Sequence, residues 1–361
     1  LKTEIVKTGY DADVATLSLS DHAEHCITVQ SGGNASQIIK AAAEERSAVI
    51  LSQFVFAGNH LYSDFIAERG NADWPVVWLQ GDACQDGGAY SMQAVALTGL
   101  NPQPVRVGSR EAGFIYEDQS ARYCRLRGIL PADTSASRME QTRSVFETAA
   151  AALRENGFAF ADTVRTWIYL DHLLDWYDDF NTVRTAFFEE QDIFSHMVPA
   201  STGIGAGNPF GAAMTMDVLA VQPKTDALTI QEIQSPLQNP ALDYRSSFSR
   251  AVELAYPTHR SILISGTASI APDGQSVHLD DPEKQIRLTL DVVKAILESR
   301  DMGWNDLFRG IAYFKDMAYQ PIYDQIAAEL GIPRFPLAVS HADVCRDDLF
   351  FEIEVDAVQA R

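Results

Sequence analysis

The sequence predicts an α+β protein made of tandem copies of one unit, each a mixed β-sheet covered by two helices. Three observations carry this. Placing Gln141 against Gln285, an offset of 144 residues (285 − 141), brings Arg143 onto Arg287, Leu153 onto Leu297, Asp162 onto Asp306, Arg165 onto Arg309 and Tyr169 onto Tyr313 without a gap. Within the last copy, Ile286, Leu290, Val293 and Leu297 recur at the spacing of one helix face. Residues 344–358 alternate instead, with Leu349, Phe351, Ile353, Val355 and Ala357 on one side and Phe350, Glu352, Glu354 and Asp356 on the other, the pattern of a strand.

Each copy reads as a strand hairpin, a helix, a strand, a second helix and a closing strand pair. The first unit, residues 1–107, is degenerate: a helix is expected over Asn34 to Glu45, a strand over Ser47 to Phe56, and closing strands at Trp74 to Leu79 and Tyr90 to Leu97. Gly32-Gly33 and Gly87-Gly88 are turn signals, since no phosphate-loop pattern follows a strand. In the middle unit, residues 108–224, strands are expected at Ala121 to Leu130, Thr163 to Leu170 and Met214 to Val221, with helices at Met139 to Asn156 and Leu174 to Glu190. Pro223 marks the linker. The last unit, residues 225–361, opens with a strand over Ser261 to Ile270 and a turn at Ala271 to Gly274. A strand over Leu307 to Phe314 and a helix over Tyr319 to Leu330 follow, the helix stopped by Gly331 and Pro333.

Composition narrows the function. With 361 residues and 46% hydrophobic content, the chain can bury a large core. No run is apolar enough to span a bilayer, and Leu1-Lys2-Thr3 does not open a signal peptide, so a soluble cytoplasmic protein with no membrane partner is expected. A net charge of −21 repels phosphate backbones and argues against nucleic acid. Small anionic metabolites stay compatible, because a few buried cations decide local potential. Cys26, Cys84, Cys124 and Cys345 are scattered without a Cys-x-x-Cys pair, so reduced thiols are expected rather than a disulfide scaffold or zinc ribbon.

The end of the chain concentrates the chemistry. With Asp347-Asp348 as a turn, 344–358 forms a hairpin in which Cys345 opposes Phe350, Asp343 opposes Glu352, and Cys345 lies diagonally beside Glu352. A thiol and a carboxyl then share one site, with Asp343 and Glu354 raising the acid's pKa by repulsion and any nearby Arg lowering it. The alternative is a half-solvated strand whose acids face water. His341, Asp343 and Cys345 on one face would be a weak metal set, and His22-Ala-Glu-His25 lacks the order of a zinc protease. Gly203, Gly205, Gly207, Asn208 and Gly211 form either an anion-binding nest or a plain turn. Trp167, Trp176, Tyr177, Phe180, Phe187 and Phe188 have the spacing of a core.

Ile264-Ser-Gly-Thr267, Gln285, Leu290, Tyr313-Phe-Lys-Asp316 and Phe351-Glu-Ile-Glu354 together resemble the RidA superfamily (YjgF, endoribonuclease L-PSP-like). That resemblance implies a chorismate-mutase-like fold that assembles as a trimer with sites between subunits, imitated here by an intramolecular pseudo-trimer in a monomeric chain whose further association stays open. Within the superfamily, Arg165-Thr-Trp-Ile-Tyr169, Phe180-Asn-Thr-Val-Arg184, Pro199 to Gly205, Ser247-Phe-Ser-Arg-Ala251, Ile264 to Ile270 and Ala342-Asp-Val-Cys-Arg346 are similar to the chorismatases. The branch implies an enzyme that hydrolyses chorismate with loss of pyruvate and needs no metal or cofactor. Its general acid would be Glu352, and Cys345 would steer the product toward a hydroxybenzoate.

Carboxylates of the substrate require cations, and Arg184, Lys315, Arg346 and Arg165 are the candidates, with Gly266, Thr267 and Tyr313 bordering the ligand. Each Arg has the alternative of an ion pair at the surface or between units. Two departures stand out. Lys315 replaces the Arg that chorismatases carry in Tyr313-Phe-Lys315-Asp, exchanging a bidentate clamp for a point charge. RidA imine deaminases use an Arg after Pro-Ala, but the copies here read Pro199-Ala-Ser201 and Pro336-Leu-Ala338. A deaminase and a non-catalytic metabolite-binding protein are the rival expectations.

Overall fold

The computed structural model describes residues 2–7, 12–32, 34–70, 72–80, 89–244 and 246–361. Cys84, Gly33, Gly87 and Gly88 lie outside the described residues. In chain order, the first unit contains β1 (Lys2–Lys7), β2 (Ala12–Ser18), β3 (Ala23–Gly32), α1 (Ala35–Glu44), β4 (Val49–Phe56), α2 (Tyr62–Arg69), β5 (Val76–Leu79) and β6 (Ala89–Thr98). The middle unit has β7 (Gln103–Val107), β8 (Arg110–Glu117), β9 (Ala121–Ile129), α3 (Arg138–Glu155), β10 (Thr163–Leu170), α4 (Tyr177–Glu190), β11 (Ala200–Gly205) and β12 (Met214–Pro223). The last has β13 (Thr229–Ile233), β14 (Ala251–Ala255), β15 (His259–Ala268), α5 (Pro282–Glu298), β16 (Leu307–Phe314), α6 (Gln320–Glu329), β17 (Leu337–His341) and β18 (Phe351–Ala360).

The three sheets share one topology. Their orders are β1-β2-β3-β6-β4-β5, β7-β8-β9-β12-β10-β11 and β13-β14-β15-β18-β16-β17. Every pairing is antiparallel except the last in each, where β4 with β5, β10 with β11 and β16 with β17 run parallel across a helical crossover. The first unit is therefore as complete in its sheet as the others, with β1 to β3 and α2 added to the elements expected from sequence. β7 pairs with β8 in the second sheet, so the expected boundary at 107 falls one strand too late.

Each sheet buries one face under its own helices and turns the other toward the remaining two sheets. The outer cores are α1 and α2 on the first sheet, α3 and α4 on the second, and α5 and α6 on the third. A shared inner core draws Phe54 and Val95 from the first unit, Trp167 and Leu219 from the middle and Leu263 and Tyr313 from the last. Phe54 meets Tyr169, and Phe56 meets Tyr313, edge-on at 6.3 Å between ring centroids.

A bulge recurs at the same point of each sheet, between Ile50 and Ser52, between Thr163 and Arg165, and between Leu307 and Arg309. The extra residue re-aims the one that follows it, so Arg165 and Arg309 point into the buried space between units.

The repeated glutamine now has a structural reason. In the middle unit the Gln141 Oε1 accepts from Ala213 N at 2.8 Å, just ahead of β12. In the last unit Gln285 Oε1 accepts from Phe350 N at 2.9 Å, just ahead of β18, while its Nε2 donates to the Asp348 carbonyl at 2.8 Å. A helix side chain thus pins the entry of each closing strand.

The expected hairpin at 344–358 is absent. β17 is a parallel edge strand beside β16, and β18 inserts between β15 and β16. Asp343 bridges Gly205 of the middle unit rather than Glu352, and His341, Asp343 and Cys345 do not alternate along a strand. The alternation of β18 itself holds: Phe351, Ile353, Val355 and Ala357 enter the outer core of the last unit. Its acids, however, face the other units and not water.

Replacing Gln285 with Leu leaves the Asp348 carbonyl and the Phe350 N–H without their partner in a buried setting, and is expected to lower unfolding free energy by about 1–3 kcal/mol, measured by urea denaturation.

Candidate active site

Where the middle and last units meet, a cavity encloses, mouth included, about 540 Å³. Tyr177 and Arg184 come from α4, Ser201 and Gly203 from β11, and Arg250 from the approach to β14. Gly266, Ala268, Cys345, Arg346 and Glu352 come from the last unit. The two units are stitched together beside it by bridges between Ala200 and Ser249 and between Gly205 and Asp343.

Glu352 sits at the start of β18, opposite Ala268 of β15 and Tyr313 of β16. Only 4% of the residue is exposed. Gly266 makes room for it, because a Cβ at position 266 would fall 1.9 Å from the Glu352 Oε1. Burial, reinforced by the negative charge of Glu354, raises its pKa to about 8 against the opposing pull of Arg165 and Arg250. The carboxyl therefore carries its proton at neutral pH. Burial and the Glu352 charge push the Cys345 thiol up to about 12, so the sulfur stays a neutral S–H.

Among the described residues, three guanidiniums border the cavity. Arg184 is 2% exposed, donates through Nη2 to Asn181 Oδ1 at 2.5 Å and lies 5.1 Å over the Phe180 ring. Arg346 Nη1 donates to Ser276 Oγ at 3.2 Å, and Arg250 donates from Nε and Nη2 to the Asn239 carbonyl at 3.1 and 2.9 Å. A carboxylated ligand would meet positive charge with a protonated acid and a thiol beside it.

Beneath Glu352 lies Glu354, fully buried and on the same face of β18. Its Oε2 accepts from Arg165 Nη2 at 2.9 Å and from the Thr202 hydroxyl, and its Oε1 accepts from Trp167 Nε1 at 2.8 Å and from Arg309. Burial alone would raise this carboxyl, but Arg165, Arg309, Thr202 and Trp167 outweigh it and hold it below the usual range. Two acids two residues apart are thus driven in opposite directions.

Of the residues nominated from sequence, the structure gathers Glu352, Cys345, Arg184, Arg346 and Gly266 around one space. Arg165 is one layer deeper, on Glu354. Lys315 is not in the cavity wall: its Nζ pairs with Asp347 at 2.5 Å, a partner whose side chain is 87% exposed. The reason is that Lys315 follows the end of β16 at the sheet margin, where the chain turns outward. Thr267 points away from the wall and donates to the Ser265 carbonyl at 2.9 Å, and Tyr313 stands in the inner core. The nest expected at 203–211 is in part the edge strand β11.

Arg250 and Tyr177 join the wall without being sequence candidates. Arg250 sits in the stretch Ser247 to Ala251, which has no periodicity that marks it out. Tyr177 has core-like aromatic spacing, yet Tyr177, Asn181 and Arg184 follow i, i+4, i+7 spacing and so share a helix face, a signal present in the sequence.

No family model matches the chain. Among curated proteins, a 3-hydroxybenzoate synthase of Streptomyces hygroscopicus is 25% identical over 242 residues, covering 60% of this chain and 68% of that protein. A chorismatase of the same organism is 25% identical over 253 residues, covering 63% and 70%. A crystal structure of a chorismatase superposes with a TM-score of 0.68 over 94% of this chain and 100% of that one, at 19% identity. The chain is similar to the chorismatases. The structural match extends the likeness through the first unit, and the tandem pseudo-trimeric fold is the shared one.

Because its Cβ would collide with the acid, Gly266→Ala is expected to displace the Glu352 carboxyl and cost about 1–3 kcal/mol in urea denaturation. Lys315→Met, outside the wall, is expected to stay within about 0.5 kcal/mol of the parent protein.

Proposed function

We propose that this protein is a chorismatase-type hydrolase: it cleaves a small enol-ether carboxylate such as chorismate in the cavity between its middle and last units, releasing pyruvate. One observation carries the reading: a buried carboxyl with a raised pKa lines the same cavity as the guanidiniums of Arg184, Arg250 and Arg346.

Cleavage of an enol ether starts with proton transfer to the methylene carbon, which converts the enol carbon to an oxocarbenium ion. Glu352 supplies that proton. Its conjugate base then takes a proton from the water that attacks the cation, restoring the acid, and the resulting hemiketal breaks its C–O bond to give pyruvate and the ring alcohol. Arg184, Arg250 and Arg346 hold the substrate's carboxylates, and the developing positive charge is met by the departing proton's negative carboxylate. Cys345 borders the same carboxyl as a neutral thiol. Its place beside the acid supports a role in the fate of the ring, toward a hydroxybenzoate.

The acid function is present while Glu352 is protonated, below about pH 8, and is lost as pH rises through that value. The kcat–pH profile is therefore expected to fall on an alkaline limb near 8. Glu352→Gln is expected to lower kcat by about 10²–10⁴-fold with a smaller change in KM, read as pyruvate formed from chorismate. Cys345→Ala should continue to release pyruvate while the proportion of aromatic product changes, followed by chromatography. Ammonia from a 2-aminoacrylate-generating system, with no pyruvate from chorismate, would replace this reading with a deaminase; binding without turnover would replace it with a metabolite-binding protein.

A further inference from the structure

Among the described residues the first unit supplies none to the cavity wall, yet it touches the charges beneath it. Gln93, on β6, is fully buried and opposes Phe54 of β4 and Thr28 of β3. Its Oε1 accepts from Arg309 Nε at 2.8 Å. Its Nε2 donates to the Gly310 carbonyl at 3.0 Å and to Thr28 Oγ1 at 3.1 Å. A backbone carbonyl can only accept, so the amide nitrogen must face Gly310, and the oxygen is thereby committed to Arg309. Arg309 in turn sends Nη1 to Asp356 at 2.9 Å and Nη2 to Glu354.

The equivalent positions in the other units carry acids. Gln93 opposes Phe54, Asp217 opposes Trp167, and Glu354 opposes Ile311, all at the same point of the common topology. Asp217 has its own guanidinium, Arg127, at 2.9 Å, and the Gly128 N–H at 2.6 Å. A carboxylate at position 93 would likewise claim Arg309. The neutral amide leaves that cation to β18.

We infer that Gln93 is a positioning residue for the Glu352 carboxyl by virtue of its neutrality: it leaves Arg309 to Glu354, and that pair sets the charge Glu352 feels. The first unit thus reaches the site through one guanidinium. The charged and titratable groups that bear on this line are Asp356 and Glu354 on β18, the Cys26 thiol of β3 and Arg125 of β9 near Asp356. On the cavity side they are Arg165, Arg250 and the Cys345 thiol, with Arg184 and Arg346 in the wall. Glu352 and Glu354, two residues apart on an extended strand, are about 7 Å apart along it, so a change in the charge balance at Arg309 is felt at Glu352.

Gln93→Glu is the decisive variant, with Gln93→Met as a control of similar length and no charge. Arg309 holds the new carboxylate ionised, which adds negative charge near Glu352. The expected result is an upward move of the Glu352 titration by about half to one pH unit, with the alkaline limb of kcat moving alongside it and KM little changed. The titration is followed by infrared difference spectroscopy, using the carboxyl band that disappears in Glu352→Gln. In Gln93→Met the titration stays where it is while stability falls. An unmoved titration in Gln93→Glu, or an equal move in Gln93→Met, overturns the inference. Should Gln93→Glu not fold, Gln93→Asp carries the same charge with one methylene less.

This inference rests on the proposed role of Glu352 as proton donor, and the two fail separately. If Glu352→Gln leaves turnover intact, or chorismate is not a substrate, while the infrared titration still moves in Gln93→Glu, the donor role falls and the positioning stands. If Glu352→Gln is inactive and the titration does not move, the positioning falls alone.

Discussion

Glu354 is the carboxylate on which the rest of the arrangement depends. It receives four donors, three of them from the middle unit and one from the last, and all of them are buried. Such a cluster contributes little net stability, because the desolvation of its charges offsets their attraction. Its effect is to select a register. A slip of β18 by one residue would drive Glu354 into the aliphatic layer under α5 and leave Arg165 and Arg309 facing no anion, a far larger loss than any packing gain. The same register places Glu352 under Gly266.

Position along β18 also divides the acids by chemistry. Glu354 lies where guanidiniums converge and remains an anion. Glu352 lies one step nearer the mouth, walled by β15, where burial dominates and, among the described residues, no ion pair neutralises it. Neither behaviour belongs to glutamate as a residue type; each follows from which neighbours the strand brings within reach. The corresponding positions in the other two units are Ser91 and Thr215, which oppose Phe56 and Tyr169 as Glu352 opposes Tyr313. The cleft between the last and first units, under α6, has Ala328 where Arg184 stands 144 residues earlier, and its Arg334 is taken by Asp13 at 2.7 Å.

Much of this was legible in the chain. The repeat located the strands and helices of the middle and last units to within a few residues, since helix faces and strand alternation are local signals. The face of β18 was legible too, and Cys345 and Glu352 do line one cavity, although through a different geometry: the thiol comes from a loop and not from across a hairpin turn. Whether β17 pairs with β18 or with β16 is decided by α6, whose crossover delivers the strand to the far edge, and no local pattern reports that. Lys315 departs from expectation for a related reason: the strand before it is buried, while its own position lies at the point where the chain leaves the sheet. Arg250 comes to the cavity from a segment without periodicity, and the role of Gln93 depends on contacts with residues more than 200 positions away.

The three units are joined by only a few residues each, from Thr98 to Gln103 and from Pro223 to Thr229. An assembly of identical chains around a threefold axis must repeat every substitution three times, so an acid introduced at one interface appears at all of them, and so does any repulsion it brings. Tethering lifts that obligation. One junction can specialise in chemistry while its two counterparts are free to lose their charges and serve as scaffolding, and a chain of this kind can tolerate a single unstable, proton-retaining carboxyl that a symmetric ring would have to accommodate in triplicate.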